Sequence, residues 1–391
     1  MAQASPGPPP WWVPSAAQRA AAANGPVAPC PARRSPVQPG GEREGGIMDF
    51  GDLQLSLETD AQSCGNSIAE SWAVIEDGSL RHHKTGILIG EGGLRDGSRN
   101  AEFTIDKDDI EVDQTSLLGR GAGGVVARGV HKPSGTALAV KVVRVEDKAK
   151  RSQLIHELET LLGVTKSHFL IQLYAAYVHK ETGCVHVALE YMDYGSLADI
   201  KQRTQNQIVP ENMLAIMLMQ ILEGLKTLHL SYVVHRDVKL GNILVNSRGC
   251  VKVTDFGISK TLGDTDVCDT FVGTATHMSP ERVLGEEYSF AADIWSLGLC
   301  VYELASGTYP YGSVASFPVL FDNLCNKPEP RLTPGRFTPG LCEFVQLQLQ
   351  RRPDQRATAI QLQAHKWILT SMFQVREGEL VRWLQRVMQD R

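Results

Sequence analysis

Apolar and polar positions between residues 117 and 192 alternate mostly as they do in β-strands, with one helical stretch inside. β-branched residues cluster over 138–143, and another apolar run follows a glycine cluster at 125–127. Over 148–162 the spacing becomes helical, so that four leucines share one face. Further strand-like runs cover 169–178 and 184–192. This segment is predicted to form a small, strand-rich lobe.

After Gly195 the chain changes to helical spacing. Residues 213–229 are predicted to form one long helix that begins near Pro210. An amphipathic helix is predicted near the C-terminus from the apolar positions Leu380, Trp383, Leu384, Val387 and Met388. The fold class is therefore expected to be α+β, with a larger helical lobe after the small one. From 51 to 99 the pattern is weak, and packed structure is expected to begin between 105 and 110.

Composition changes this picture most at the N-terminus. The chain has 391 residues, and ten of its 20 prolines precede residue 41. A Pro/Ala-rich stretch cannot bury enough apolar surface to offset its chain entropy, so residues 1–47 are predicted to be a disordered extension. Two alternatives stay open. The stretch carries arginines and no acidic residue before Glu42, as organelle transit peptides do, and Met48 could be the true start.

Charge and cysteine usage exclude several classes of protein. No run of 18 apolar residues occurs, so no membrane span is expected. A net charge of −5 argues against nucleic-acid binding through overall charge. The 8 cysteines include no C-x-x-C pair, which excludes the common zinc patterns and is typical of reduced cytosolic thiols. We expect a cytoplasmic protein, with the nucleus as the alternative compartment.

A glycine motif opens the small lobe. G-x-G-x-x-G-x-V spans residues 119–126, and glycines let the backbone approach phosphate oxygens closely. A dinucleotide-binding fingerprint would open a helix, whereas β-branched residues follow here, and a flexible glycine hairpin is the other alternative. Lys141 lies in an apolar strand, and Glu157 borders the apolar face of the next helix. These two side chains are predicted to pair, because a carboxylate so placed needs a buried cation; Glu159 points away and ranks below Glu157.

Three further motifs follow in a fixed order. They are H-R-D-V-K-L-G-N at 235–242, D-F-G at 255–257 and S-P-E at 279–281. H-R-D-x-K-x-x-N with D-F-G at this spacing is highly specific. Together with the glycine loop and the strand lysine, these motifs make the sequence resemble a protein kinase over residues 110–369. The resemblance implies the bilobal kinase fold, with a small β-rich N-lobe, a larger α-helical C-lobe and ATP in the cleft.

The resemblance implies a catalytic role for four residues. Asp237 would accept the proton of the substrate hydroxyl or orient that hydroxyl, and Lys239 would contact the transferred phosphate. Lys141, held by Glu157, would contact the α- and β-phosphates. Lys239 is also the mark of Ser/Thr-directed and dual-specificity kinases rather than of ordinary tyrosine kinases.

The same resemblance implies the nucleotide and metal contacts. Asn242 and Asp255 would hold Mg²⁺, an ion that prefers hard oxygen ligands. Leu189 would be the gatekeeper, and Asp293 and the pair Arg356–Glu281 would be scaffold. The predicted ATP-binding set is Leu118, Gly119, Arg120, Gly121, Ala122, Gly123, Gly124, Val126, Ala139, Lys141, Glu190, Met192 and Leu244.

Several segments narrow the resemblance to the MAP kinase kinase family. They are E-Y-M-D-Y-G-S-L at 190–197, D-F-G-I-S at 255–259, and F-V-G-T at 271–274 leading to M-S-P-E-R at 278–282. That family phosphorylates both a Thr and a Tyr in the T-x-Y loop of a MAP kinase. The resemblance therefore implies ATP and Mg²⁺ as cofactors, a MAP kinase as downstream partner and a MAP kinase kinase kinase upstream. Leu240, Gly241 and His277 depart from the usual residues of the family.

Activation-loop sites follow from the arginine before the catalytic aspartate. In kinases of this type, the equivalent of Arg236 usually waits for a phosphate on that loop. Alignment on F-V-G-T puts one phosphosite at Thr270. A four-residue offset lands on Asp266, so the adjacent Thr265 is the second predicted site; a loop hydroxyl without that role is the alternative.

The flanks carry predicted docking segments. Residues 48–109 are predicted to be regulatory, because a basic cluster at 81–84 followed by Ile87-Leu88-Ile89 loosely fits a MAP kinase docking motif; a local hairpin over 80–100 is the alternative. Residues 370–391 are predicted to be a helical segment that binds the upstream kinase, or else to pack on the chain's own large lobe. Two other functions stay open, a Ser/Thr kinase of another cascade branch and a kinase-fold scaffold without phosphate transfer.

Overall fold

The structure is a computed structural model. It describes residues 72–74, 79–83, 86–97, 101–104, 107–121, 124–144, 148–164, 167–255, 276–314 and 316–389. The strands of these residues are β1 (Trp72–Val74), β2 (Leu80–His82), β3 (Ile87–Gly90), β4 (Gly93–Asp96), β5 (Ala101–Thr104), β6 (Ile110–Gly121), β7 (Gly124–His131), β8 (Thr136–Arg144), β9 (Leu173–His179), β10 (Cys184–Glu190), β11 (Ile243–Val245) and β12 (Val251–Val253).

The first five strands form an antiparallel meander in the order β1-β2-β3-β4-β5, which we call the N-terminal sheet. Leu80, Ile87, Ile89 and Leu94 face its inner side and are at most 4 % exposed. The expectation that packed structure begins at 105–110 is therefore wrong. It failed because strands of three or four residues are too short to show a clear alternation of apolar and polar positions. The hairpin alternative for 80–100 is the one observed.

The second sheet has the order β6-β7-β8-β10-β9, with the glycine motif at the turn between β6 and β7. Gly124 has a φ of +125°, and a Cβ there would collide with the carbonyl oxygen of Val142, so only glycine fits. Register pairs Val126 with Lys141 across β7 and β8. The predicted helix appears as α1 (Lys148–Val164), whose buried face includes Leu158.

The large lobe is built around two long buried helices, as the helical spacing after Gly195 predicts. One of them, Glu211–Leu230, is long and apolar enough to cross a membrane by length and composition, and 72 % of that window is buried inside the lobe. The α-helices of this lobe in the described part of the chain are α2 (Leu197–Arg203), α3 (Glu211–Leu230), α4 (Pro280–Val283), α5 (Phe290–Ser306), α6 (Phe317–Cys325), α7 (Pro339–Gln348), α8 (Ala359–Gln363), α9 (Lys366–Phe373) and α10 (Glu379–Gln389), of which α3 and α5 are the two long ones.

The C-terminal helix α10 confirms the amphipathic pattern of its sequence. Leu380, Leu384 and Val387 are buried, and the helix packs against α2 and α3. Its apolar face is thus covered by the chain's own large lobe, which is the alternative to a free docking helix. Ile87 and Ile89 are likewise fully buried, so the apolar part of the docking motif at 81–89 is not accessible in this structure.

Candidate active site

A cleft of about 230 Å³ lies between the second sheet and the large lobe. Eight predicted ATP-binding residues line it: Leu118, Gly119, Val126, Ala139, Lys141, Glu190, Met192 and Leu244. Of the others, Arg120, Gly121 and Gly124 lie outside that lining, and Ala122 and Gly123 lie outside the described residues. Lining residues that were not predicted to bind ATP are Ile171, Tyr191, Gly195, Ser196, Asp199, Gly241 and Thr254.

Lys141 is the charged centre of the cleft. Its Nζ donates to both carboxylate oxygens of Glu157, at 2.7 and 2.9 Å, and to Oδ1 of Asp255 at 3.0 Å. Burial lowers the pKa of Lys141, but the negative charges of Glu157 and Asp255 outweigh that effect, so its pKa is raised and the amine stays protonated. The predicted Lys141–Glu157 pair is present in the structure, and α1 supplies its carboxylate.

Asp255 is held in the same network. Burial raises its pKa, but the positive charge of Lys141 more than offsets this, so the pKa of Asp255 is lowered and the carboxylate is ionised. Its φ of +57° is unusual for a residue with a side chain. The surrounding bonds hold this strained backbone and aim the carboxylate into the cleft.

The catalytic loop brings the three polar residues of its motif together. Lys239 Nζ donates to Oδ2 of Asp237 at 2.7 Å, and Asn242 Nδ2 donates to the same oxygen at 2.8 Å. Asn242 Nδ2 also donates to the backbone carbonyl of Asp237 at 2.8 Å. Within the described residues both side-chain bonds fall on Oδ2, which leaves Oδ1 to accept a bond from a bound hydroxyl.

Asp293 of α5 holds the backbone of this loop in place. It is 1 % exposed and accepts hydrogen bonds from the backbone N–H groups of His235 and Arg236, at 2.8 and 2.9 Å. His229 Nε2 lies 2.9 Å from the same carboxylate. Burial raises the pKa of Asp293, but these bonds outweigh it and lower the pKa, so the carboxylate is charged. The predicted scaffold role of Asp293 is confirmed by these contacts.

A second buried ion pair lies deeper in the large lobe. Arg356 donates to both oxygens of Glu281, at 2.6 and 2.7 Å, as the sequence predicts. The remaining donors of the guanidinium go to backbone carbonyls of Gln350, Ala291 and Arg351. This bidentate geometry is typical of strong arginine–carboxylate pairs.

Two arginines at the catalytic loop, Arg236 (half-buried) and Arg282 (buried), were not predicted from the sequence to lie together. Arg236 and Arg282 both stack on the ring of Tyr288, with Cζ 5.7 and 5.2 Å from its centroid. The Nε atoms of both are buried without a hydrogen-bond partner, and among the described residues neither makes an ion pair with a carboxylate. Burial lowers the pKa of Arg282. Arg282 follows the S-P-E motif directly, but nothing in that spacing shows that it faces Arg236.

Three further sequence predictions concern Thr265, Thr270 and His277. Thr265 and Thr270 belong to residues 256–275, which lie outside the described residues. His277 packs in the large lobe, with Nε2 3.7 Å from Glu303 and its ring 5.7 Å from that of Tyr309. A packing role explains this departure from the family pattern.

Comparison with known proteins agrees with this geometry. Residues 112–368 match the protein kinase domain. Mitogen-activated protein kinase kinase 2 of Arabidopsis thaliana is 33% identical over 338 residues, which cover 83% of this chain and 91% of the relative. Mitogen-activated protein kinase kinase 3 of the same plant is 39% identical over 275 residues, 70% of this chain and 52% of the relative. This chain thus spans about half the length of the latter.

The bilobal fold and the polar network of its cleft define a protein kinase, and the predicted α+β kinase fold is confirmed. Dual specificity mitogen-activated protein kinase kinase 1 of Dictyostelium discoideum is a further relative, 42% identical over 217 residues, 55% of this chain and 32% of that protein. The chain belongs to the MAP kinase kinase family, as its F-V-G-T and M-S-P-E-R segments predict.

Proposed function

We propose that this chain transfers the γ-phosphate of ATP to both the Thr and the Tyr of a MAP kinase T-x-Y loop. One observation supports this proposal most: a polar network in the cleft lies beside that of the catalytic loop, close enough for the charge of Lys239 to act on Asp255. Lys141, Glu157 and Asp255 form the first, and Asp237 with Lys239 belongs to the second. Phosphoryl transfer needs little covalent chemistry from the protein, and these networks supply positioning and charge.

The residues of the cleft fit ATP with a divalent metal ion. Val126, Ala139 and Leu244 provide apolar walls for an adenine ring. Asp255 offers a carboxylate, and the Nδ2 bonds of Asn242 leave its amide oxygen as a second hard ligand, which suits Mg²⁺. Such an ion, when bound, neutralises charge on the phosphate oxygens.

The chain's own residues then have separate tasks. Asp237 Oδ1 accepts the hydrogen bond of the substrate hydroxyl and takes its proton as the oxygen attacks phosphorus. Lys239 adds positive charge beside that position. Lys141 is shared between two carboxylates, so it can turn from Asp255 towards phosphate oxygens without losing Glu157.

Regulation by activation-loop phosphorylation is the second part of the proposal. Arg236 is half-buried and Arg282 is buried; neither makes an ion pair with a carboxylate among the described residues, and the Nε of each is buried without a hydrogen-bond partner. Burial of unpaired charge is costly, and a phosphate accepts charge-assisted hydrogen bonds from arginine. Thr270 and Thr265 are the proposed phosphosites, and a MAP kinase kinase kinase is the proposed upstream enzyme. The proposed compartment is the cytoplasm, with the nucleus as the alternative.

The experiment uses purified full-length protein, Mg-ATP and a catalytically inactive MAP kinase as substrate. The protein is tested as isolated, after treatment with an active MAP kinase kinase kinase, and as Thr265→Ala/Thr270→Ala after the same treatment. Asp237→Ala is the control without the base. The proposal expects phosphate on both Thr and Tyr after activation, little in the double-alanine variant and none with Asp237→Ala.

Other outcomes assign the chain differently. Phosphate on Ser or Thr alone would place it in another cascade branch. ATP binding without transfer, in every form and with a panel of MAP kinases, would make it a scaffold.

A further inference from the structure

The N-terminal sheet, residues 72–104, has no role in the function proposed so far. Its strands are only three or four residues long, and a meander of this size is stable only when its apolar face packs on something else. Leu80, Ile87, Ile89 and Leu94 belong to an apolar cluster that includes Leu154 and Leu158 of α1 and continues into the large lobe. The sheet is therefore part of the continuous core of the protein.

The N-terminal sheet packs against one particular strand of the second sheet. β3, β4 and β5 pack against β9, which is the edge strand of the second sheet. Glu91, at the turn between β3 and β4, pairs with Lys180 at 2.7 Å and with Lys107 at 3.1 Å. Hydrogen bonds from Lys180 and Lys107 lower the pKa of Glu91, so this link is ionic, although its exposure keeps it weak.

A polar contact links the N-terminal sheet to α1. His82 of β2, which is 8 % exposed, has Nδ1 3.8 Å from Oε1 of Glu159. Glu159 follows Glu157 by two residues, which is about 200° around a helix, so the two carboxylates face opposite sides. Glu157 reaches Lys141 on the cleft side, whereas Glu159 faces the N-terminal sheet.

The position of α1 affects the cleft, because α1 carries Glu157 and a buried carboxylate is energetically costly. Desolvation favours the neutral form of Glu157 and raises its pKa, and the pair with Lys141 offsets this only in part while α1 stays close to the second sheet. A helix that could move outwards would release Glu157 to water and weaken the hold on Lys141. A layer that contacts the far side of α1 opposes this movement.

We propose that the N-terminal sheet positions α1, with His82 as a positioning residue, and so maintains the Lys141–Glu157 pair. The proposal rests on the proposed function, because that pair serves nucleotide binding there. The N-terminal sheet is thus a packing partner for α1 within the same chain. The alternative is that the sheet only covers the edge of β9, which short protective elements commonly do.

The first test compares two histidines that lie at the same distance from Glu159. His156 Nδ1 is 3.8 Å from Oε2, but it belongs to α1 itself and is exposed. His82→Ala is expected to raise the KM for ATP about two- to fivefold, the range of a weak polar contact. His156→Ala is expected to change the KM for ATP less, because it leaves the contact with the sheet intact.

The second test compares two leucines on opposite faces of the sheet. Leu94→Ala opens a cavity on the inner face, whereas Leu88→Ala trims the half-buried outer face of the adjacent strand. Hydrogen exchange of residues 148–164 is the decisive readout, because it reports the helix without depending on activity. We expect faster exchange there in Leu94→Ala and His82→Ala, and unchanged exchange in α3.

The outcomes separate the two proposals. If wild-type protein transfers no phosphate, the proposed function fails, and hydrogen exchange still tests the sheet. If His82→Ala leaves both the KM for ATP and the exchange of α1 as in wild type, the positioning proposal is wrong. A Leu94→Ala protein that loses melting temperature alone would also contradict it, and if that variant does not fold, the two histidine variants decide.

Discussion

Arg356–Glu281 in the large lobe and Lys141–Glu157 in the small lobe are both buried pairs of a cation and a carboxylate, and they differ in what surrounds them. Arg356 and Glu281 are 0% and 2% exposed, and backbone carbonyls take the remaining guanidinium donors. Lys141 and Glu157 are almost as buried, at 5% and 7%, but Lys141 also contacts Asp255, which is 33% exposed. We call Arg356–Glu281 the closed pair, because the other donors of Arg356 are taken by backbone carbonyls. We call Lys141–Glu157 the open pair, because Lys141 lines the cleft.

This difference shows how the molecule divides its tasks. The large lobe fixes the catalytic loop through groups that have all their partners, such as Asp293. The small lobe holds Lys141 through a helix whose far side contacts the N-terminal sheet. Two large-lobe arginines are the exception to the first pattern, because the Nε atoms of Arg236 and Arg282 are buried without a hydrogen-bond partner. The catalytic loop is thus held by Asp293, whereas Lys141 is shared between Glu157 and Asp255.

The largest effect is expected at the catalytic loop itself. Asp237→Asn removes the proton acceptor but can still accept a hydrogen bond from Lys239, so kcat should fall roughly 10²- to 10⁴-fold. The melting temperature and the affinity for an ATP analogue should change little. Initial rates with a MAP kinase substrate, together with calorimetry, provide the measurement. A loss of folding stability as large as the loss of rate would contradict the assignment.

The closed and the open pair are expected to respond differently to loss of the carboxylate. Glu281→Gln leaves Arg356 buried without its anion, which should cost about 3–5 kcal/mol of unfolding free energy. Glu157→Gln should cost less stability, because Asp255 remains 3.0 Å from Lys141, but should lower kcat/KM more. Urea denaturation and kinetics of the two variants test this comparison. Equal stability losses would remove the distinction between the pairs.

Some parts of the site could be predicted from the sequence, and others could not. The motifs around Asp237 and Asp255 predicted the residues of the site, because phosphoryl transfer constrains both residue type and spacing. The pairs of Lys141 with Glu157 and of Arg356 with Glu281 were predicted, and both are present. Family membership and the kinase fold were also predicted.

The rest depended on contacts between segments that are distant in sequence. Arg236 and Arg282 are 46 residues apart, and only the fold stacks both on Tyr288. The N-terminal sheet escaped notice because each strand is short and its turns are rich in glycine. Covering of α10 by α2 and α3 is likewise a tertiary contact that amphipathicity alone leaves open.

A smaller effect is expected at the arginine pair. Arg282→Gln removes one of two cations from the proposed phosphate site, so the rate of the activated enzyme relative to the untreated enzyme should fall about tenfold, the size of one charge-assisted hydrogen bond. Arg352→Gln is the matched control, because its ion pair with Asp354 is exposed. Rates before and after treatment with the upstream kinase give the ratio. An unchanged ratio would exclude Arg282 from the phosphate site.

The smallest effect concerns stability against pH in the second sheet. Burial, with the neighbouring charge of His179, lowers the pKa of His186 to about 4 from an ordinary value of 6.5. The unfolded chain therefore binds a proton that the folded state refuses, so this site's contribution to stability is lost as pH falls from about 6.5 to 4. Urea midpoints at pH 7 and pH 5 should differ less in His186→Phe than in wild type. His83→Phe, in an exposed turn, should behave as wild type; an unchanged pH difference in His186→Phe would refute the assignment.

Residue specificity in the acceptor loop tests the central claim most directly. An inactive MAP kinase is offered in three forms, with its T-x-Y loop intact, with Thr→Ala and with Tyr→Phe, and the products are mapped by tandem mass spectrometry. Activated wild-type protein should place two phosphates on the intact loop and one on each single variant, and Asp237→Ala should place none. Phosphate that never appears on tyrosine, in either the intact or the Thr→Ala substrate, would contradict dual specificity.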